Sequence, residues 1–152
     1  MFDFENELCA VRDALSTARI PYALCGGWAM IVHGFIRNTV DIDFLIREED
    51  LDAVERIAGE LGFVIKARPM NFNGGTMKIR RVSKIDPRDG ETLMLDLLLV
   101  TPKSEHVWAS REVLPWNGAD LWVVSRKGLI DLKRGRSSEQ DLLDIKKLKE
   151  EA

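Results

Sequence analysis

The sequence predicts a mixed α/β (α+β) domain: a sheet of parallel and antiparallel strands flanked by helices. Three observations predict it. Segments of helical period interleave with short apolar runs. A turn signal, DPRDG at 86–90, joins two strand-like runs, so an antiparallel hairpin interrupts what would otherwise read as a doubly wound pattern. The 152 residues, 45% hydrophobic and 31% charged, suit one domain, 1–152, with one core.

Each element has its own signal. Phe4 to Arg19 places Phe4, Leu8, Val11, Leu15 and Ala18 on one helical face, with Pro21 as the stop. Tyr22 to Cys25 reads as a short buried strand, Gly26-Gly27 as a turn, and Trp28 to Gly34 as a short helix. Val40 to Ile46 reads as a strand with Val40, Ile42 and Phe44 turned to the core. Glu48 to Leu61 reads as one helix closed by Gly62. A strand is expected over 63–67 and a loop over 70–75. Thr76 to Ile85 and Glu91 to Val100 form the hairpin. Residues 101–120 read as irregular because Pro102, Pro115 and Asn117-Gly118 break them, before a strand over 121–124. Ser125 caps a helix to Arg134, and Ser137 or Ser138 caps a last helix to about Glu150.

Composition excludes some classes. A net charge of −3 gives no global basic field for nucleic acid. Two cysteines, Cys9 and Cys25, lack metal-like spacing, and Cys25 reads as a buried thiol in a reduced, cytoplasmic setting. The acidic start MFDFENE is unlike a signal peptide, and no apolar run is long enough to span a membrane.

The chemistry lies in three aspartates. Residues i and i+2 of a strand share a face about 6.5–7 Å apart, so Asp41 and Asp43 of VDIDFLI point the same way. Such charges repel unless something positive sits between them. A divalent cation answers that need, and oxygen-only ligands suit magnesium. Asp96 stands alone in the apolar run LMLDLLLV and needs a partner for its charge. If its strand lies beside the first, three carboxylates could hold two metals about 3.5–4 Å apart. The plain alternative is a structural ion-pair cluster with Lys78, Arg80 and Arg81. Gly26-Gly27, between a strand and a helix, offers backbone N–H groups for an anion, or simply a tight turn.

Taken in order, Cys25-Gly26-Gly27, Asp41-Ile42-Asp43 and Asp96 resemble the polymerase-β-like nucleotidyltransferase superfamily. The closer likeness is to small prokaryotic members related to the AbiE-type nucleotidyltransferase toxins. Their GGxA and HGxxRxTxDID motifs match Gly26 to Ala29 and His33 to Asp43. Their tail matches Leu129 to Lys133, then Gly135-Arg136, then Asp141 to Ile145. The resemblance implies a polymerase-β-like fold and transfer of a nucleoside monophosphate from an NTP to an acceptor hydroxyl, releasing pyrophosphate. It implies that Gly26 and Gly27 seat phosphates. Asp41 and Asp43 would hold Mg2+ or Mn2+ on the triphosphate and share a second ion with Asp96, which would activate the acceptor. Arg37 and Thr39 would sit at the rim, Lys133 would contact phosphates, and Asp141 or Asp144 would serve the nucleotide. His33 is expected to pack or cap its helix, and Trp108, Trp116 and Trp122 to pack.

Two features depart from the pattern. Gly27 stands where many active members carry serine, and the 152 residues leave little beyond the expected core for the helical domain with which many relatives recognise the acceptor. RNA, protein and small-molecule acceptors all stay open, as does the base of the NTP. The alternative is a non-catalytic nucleotide-binding or partner-regulating module on the same fold, within a toxin–antitoxin-like pair.

Overall fold

The computed structural model describes residues 1–134 and 139–150. Helix α1 (Phe4–Thr17) starts where the Asp3 carboxylate accepts the Asn6 N–H, and buries Leu8, Val11 and Leu15. It stops two residues before the expected Arg19. Arg19 takes a left-handed φ of 58°, and the Ile20 N–H returns to the Leu15 carbonyl at 2.9 Å. Pro21 therefore follows the stop and does not cause it.

Strand β1 (Ala23–Cys25) runs directly into α2 (Gly26–Val32), which begins at the glycines and not at Trp28. Strand β2 (Asp41–Ile46) buries Ile42 and Phe44 as expected, but Val40 precedes the strand and is 60% exposed. The helix expected over 48–61 is a 3-10 turn (Glu48–Asp50) followed by α3 (Leu51–Glu60). Gly62 follows with φ +100°. The strand expected over 63–67 contracts to β3 (Ile65–Lys66).

The expected loop at 70–75 contains β4 (Met70–Phe72), and the hairpin forms as β5 (Met77–Ile85) and β6 (Thr92–Leu99). The stretch expected to be irregular is also ordered. It holds α4 (Glu105–Ala109), β7 (Glu112–Trp116) and β8 (Ala119–Val123). Asn117 and Gly118, at φ 47° and 83°, make the two-residue turn between β7 and β8. Pro115 is tolerated because β7 is an edge strand. Helix α5 (Arg126–Arg134) has the expected cap: Ser125 Oγ accepts the Gly128 N–H at 3.0 Å. Helix α6 is Glu139–Glu150; the expected Ser137 or Ser138 cap and the Gly135-Arg136 step lie outside the described residues.

The described strands form one mixed sheet in the order β3-β5-β6-β2-β1-β8-β7, with β4 also paired to β5. β2 runs parallel to β6 and β1 parallel to β8, while β1–β2, β5–β6 and β7–β8 are antiparallel. Alternation along β6 sorts the two faces. Leu93, Leu95, Leu97 and Leu99 share the core cluster with Leu8, Val11 and Leu15 of α1 and Val54 and Ala58 of α3. Met94, Asp96 and Leu98 turn to the opposite face, where the chemistry lies. No described helix is long and apolar enough to cross a membrane.

Candidate active site

Sheet register assembles the carboxylates. β2 pairs in parallel with β6 so that Asp43 stands opposite Asp96, and β6 pairs with β5 so that Asp96 stands opposite Arg81. The three residues form one row across adjacent strands, which lie about 4.8 Å apart. Asp41, two residues earlier, stands opposite Met94.

Asp96 is 6% exposed, so its charge needs compensation. Arg81 supplies it as a bidentate fork, Nε to Oδ1 at 2.7 Å and Nη2 to Oδ2 at 2.9 Å. The hydrogen bond to Asp96 raises the Arg81 pKa, and the charges of Asp41 and Asp43 add to it. Lys78 and Arg80 turn to the other face of β5. Lys78 reaches Glu48 at 3.3 Å, and Arg80 reaches the Asn71 side chain at 3.1 Å. Arg81 is thus the partner that the sequence reading could not choose among three cations. A symmetric count outward from the DPRDG turn would have chosen Arg80; the hairpin instead pairs Ile85 with Thr92, which sets Arg81 opposite Asp96.

Oxygen donors on Asp41 and Asp43 match the chemistry of a hard cation. Among the described residues, however, no group of three His, Cys, Asp or Glu side chains is arranged to hold a metal ion. Asp96 is turned to Arg81 instead.

The two glycines have different neighbours. Gly26 has φ +68°, and a Cβ there would lie 2.1 Å from Asp43 Oδ2, so the backbone approaches the carboxylate as only glycine permits. A Cβ on Gly27 would lie 2.8 Å from Thr39 Oγ1 and 2.9 Å from Thr39 Cβ. The Thr39 side chain therefore fills the place that a residue-27 side chain would take. Its hydroxyl donates to the Asp41 carbonyl at 3.2 Å.

Lys133 is 4% exposed, not the surface lysine its residue type suggests. Its Nζ donates to Asp144 Oδ2 at 3.0 Å and lies 3.8 Å from Asp141 Oδ1. Arg37 Nη1 donates to the same Asp144 oxygen, and Gln140 Nε2 donates to Asp144 Oδ1 at 2.9 Å. Burial alone would raise the Asp144 pKa; hydrogen bonds from Lys133 and Gln140, with the charges of Lys133 and Arg37, outweigh it and hold the carboxyl below its ordinary value. Of the two aspartates expected on this helix, Asp144 is the hub.

A small cavity of about 20 Å³ is lined by Gly26, Asp43 and Lys133, which joins this cluster to the glycine turn. Asp43 also lines a larger groove, of about 420 Å³, with Arg81 and Asp96. Gly26, Asp43, Asp96 and Lys133 thus adjoin. Gly27 and Thr39 touch, and Arg37 is tied in through Asp144. His33 stands apart: its Nε2 lies 2.8 Å from the Val124 carbonyl oxygen, at the end of α2. Trp108 is buried, with the Arg111 guanidinium 4.1 Å from its ring centroid.

Comparison with known proteins shows the fold and the family. Several solved structures match nearly the whole chain, three of them as follows. A Thermotoga maritima protein described as a nucleotidyltransferase covers 99% of this chain and 94% of its own at 17% identity, TM-score 0.63. A lincomycin-bound lincosamide antibiotic adenylyltransferase covers 95% and 96% at 15% identity, TM-score 0.59. The ANT(2")-Ia enzyme with adenylyl-2"-tobramycin covers 97% and 87% at 16% identity, TM-score 0.62. These likenesses are of fold, the polymerase-β-like nucleotidyltransferase fold. No curated protein sequence matches. The aminoglycoside-2''-adenylyltransferase family model matches residues 7–87, which carry both glycines and the Asp41–Asp43 strand. That span is more than half of the sequence, and the chain belongs to this family.

Proposed function

We propose that this protein is a nucleotidyltransferase that moves a nucleoside monophosphate from an NTP to an acceptor hydroxyl. The observation that carries the reading is the register of Asp43 beside Asp96, with Gly26 held against Asp43. Backbone N–H groups at Gly26-Gly27 would seat the β- and γ-phosphates, with Lys133 and Arg37 beside them. The Thr39 hydroxyl would supply the contact that serine gives in relatives. Asp41 and Asp43 would hold magnesium or manganese, which when bound neutralises the triphosphate. Asp96, once released by Arg81, would join that set and accept the proton of the acceptor hydroxyl. The acceptor oxygen then bonds to the α-phosphorus, the bond from that phosphorus to the bridging oxygen breaks, and pyrophosphate leaves.

Within the superfamily, the Gly26 to Ala29 and His33 to Asp43 motifs place the chain near small members related to AbiE-type toxins. We take it to act as one cytoplasmic domain spanning 1–152. A second reading, a nucleotide-binding module without catalysis and with a toxin–antitoxin-like partner, draws on the Arg81 fork, which ties up Asp96.

The test is thermal stabilisation by each NTP with magnesium, followed by transfer of α-labelled phosphate to an extract. The transferase gives metal-dependent stabilisation and a labelled product, both lost in Asp41→Ala plus Asp43→Ala. Stabilisation without label in any fraction supports the binding module. An equal shift in the double variant contradicts the catalytic claim, and no shift in the wild-type protein contradicts both readings.

A further inference from the structure

We infer that the groove between the end of α1 and strand β8, at the start of β1, binds a small oxyanion carried on a planar ring. The groove lies at the opposite end of β1 from the glycine turn, so it is a second site and does not depend on the transferase chemistry.

Arg111 is the group that calls for a ligand. Its guanidinium carbon lies 4.1 Å from the Trp108 ring centroid and 5.0 Å from that of Trp122. Nη1 donates to the Trp108 carbonyl at 3.0 Å, while Nε is buried without a hydrogen-bond partner. Among the described residues no carboxylate pairs with Arg111. The nearby Glu105 is committed to Arg47 through two bonds of 2.7 Å. Burial and the charge of Arg47 both push the Arg111 pKa below its ordinary value. A cation withdrawn from water without a partner is costly, and an anion that pairs with it recovers that cost.

The groove, about 860 Å³, has room for more than a bare ion. Arg111 and Trp122 line it from the sheet, and Ser16, Thr17 and Arg19 line it from the end of α1. Along β8, Leu121 and Val123 are buried while Trp122 is 38% exposed. The Trp122 backbone N–H donates to the Tyr22 hydroxyl at 3.3 Å, which ties this platform to the start of β1. An exposed indole beside a guanidinium suits a planar ring bearing an oxyanion. The charge balance agrees. Asp13 also lines the groove, but buried Arg12 neutralises it, Nε to Oδ1 at 2.9 Å. Arg19 and Arg111 then outweigh Asp120. The negative end of α1 is blunted as well, because the carbonyls of Ala14, Leu15 and Ser16 accept the N–H groups of Ala18, Ile20 and Arg19.

Phenyl phosphate and benzoate carry the two common oxyanions on the same ring, and benzyl alcohol is their neutral counterpart. Each is titrated into 15N-labelled protein, whose four tryptophans report through their indole N–H signals. The anions are expected to shift the Trp122 signal and benzyl alcohol to leave it unmoved. The anion that saturates at the lower concentration identifies the oxyanion as phosphate or carboxylate. Trp28, directly after the glycine turn, reports binding there instead. Arg111→Met is expected to weaken the anion at least about tenfold. Arg19 has φ 58°, so Arg19→Asn keeps a residue tolerant of the left-handed backbone while removing the charge. That variant is expected to weaken the anion about threefold at an unchanged melting temperature. A Trp122 signal unmoved by both anions, whether or not Trp28 moves, would overturn the assignment. So would an equal shift with benzyl alcohol or unchanged affinity in Arg111→Met. If Arg111→Met does not fold, unchanged affinity in Arg19→Asn overturns it instead.

Discussion

Gly27 and Thr39 show how one residue can stand in for another. A serine at position 27, common among relatives, would put its Cβ 2.8 Å from Thr39 Oγ1. Gly27→Ser is therefore expected to destabilise the fold by about 1–3 kcal/mol through overpacking. Thr39→Ala should relieve most of that, so the double variant should unfold above the sum of the single effects in a denaturant-melt cycle. Additive effects would mean that the two side chains do not compete for one space. Arg81 is the other decisive single residue. Arg81→Met leaves Asp96 buried without its fork. The expected cost is about 2–3 kcal/mol, less than for a fully buried pair because the Arg81 side chain is 32% exposed. Magnesium should restore part of that stability if Asp96 can become a ligand; a melting temperature indifferent to magnesium would argue that it cannot.

At the scale of elements, α5 and α6 are joined through charge. Lys133 on α5 and Asp144 on α6 are both buried, and Arg37, just ahead of β2, meets the same carboxylate. Breaking a buried pair by removing one partner typically costs about 3–5 kcal/mol, so Lys133→Met should lower the denaturant midpoint strongly. The pH dependence follows from the lowered Asp144 pKa. Its contribution is complete above the ordinary value of 3.8 and is lost as pH falls through the lowered folded value. Melts from about pH 5 to about pH 2 should therefore fall less steeply in Asp144→Asn than in the wild-type protein. These elements were legible to different degrees. The Ser125 cap and the hairpin over 76–100 carry local signals, and both form. β4 was not legible: MNFNGG reads as a turn, and Met70–Phe72 becomes a strand only because β5 offers it an edge. β7 was hidden by Pro115, which an edge position tolerates.

For the whole molecule, sequence order hides what the sheet joins. The Asp41–Asp43 pair and the glycines are near neighbours in the chain, so their association was readable from a motif. Asp96 reaches Asp43 through a parallel pairing across some fifty residues, and only its isolation among leucines hinted at it. Arg81 and the groove it shares with Asp43 and Asp96 follow from strand register, which turns and periodicity fix only once the hairpin is placed. Lys133 becomes buried because α6 brings Asp141 and Asp144 to it. The fold therefore brings the glycine turn, Asp96 and the groove lined by Arg81 together around one carboxylate, Asp43.

That convergence is the central claim, and calorimetric titration of ATP with magnesium into wild type and Asp43→Asn tests it most directly. Saturable, magnesium-dependent binding by the wild-type protein, weakened at least about tenfold in Asp43→Asn while the variant melts normally, is the expected result. Equal affinity in the two proteins, or binding indifferent to magnesium, would contradict it.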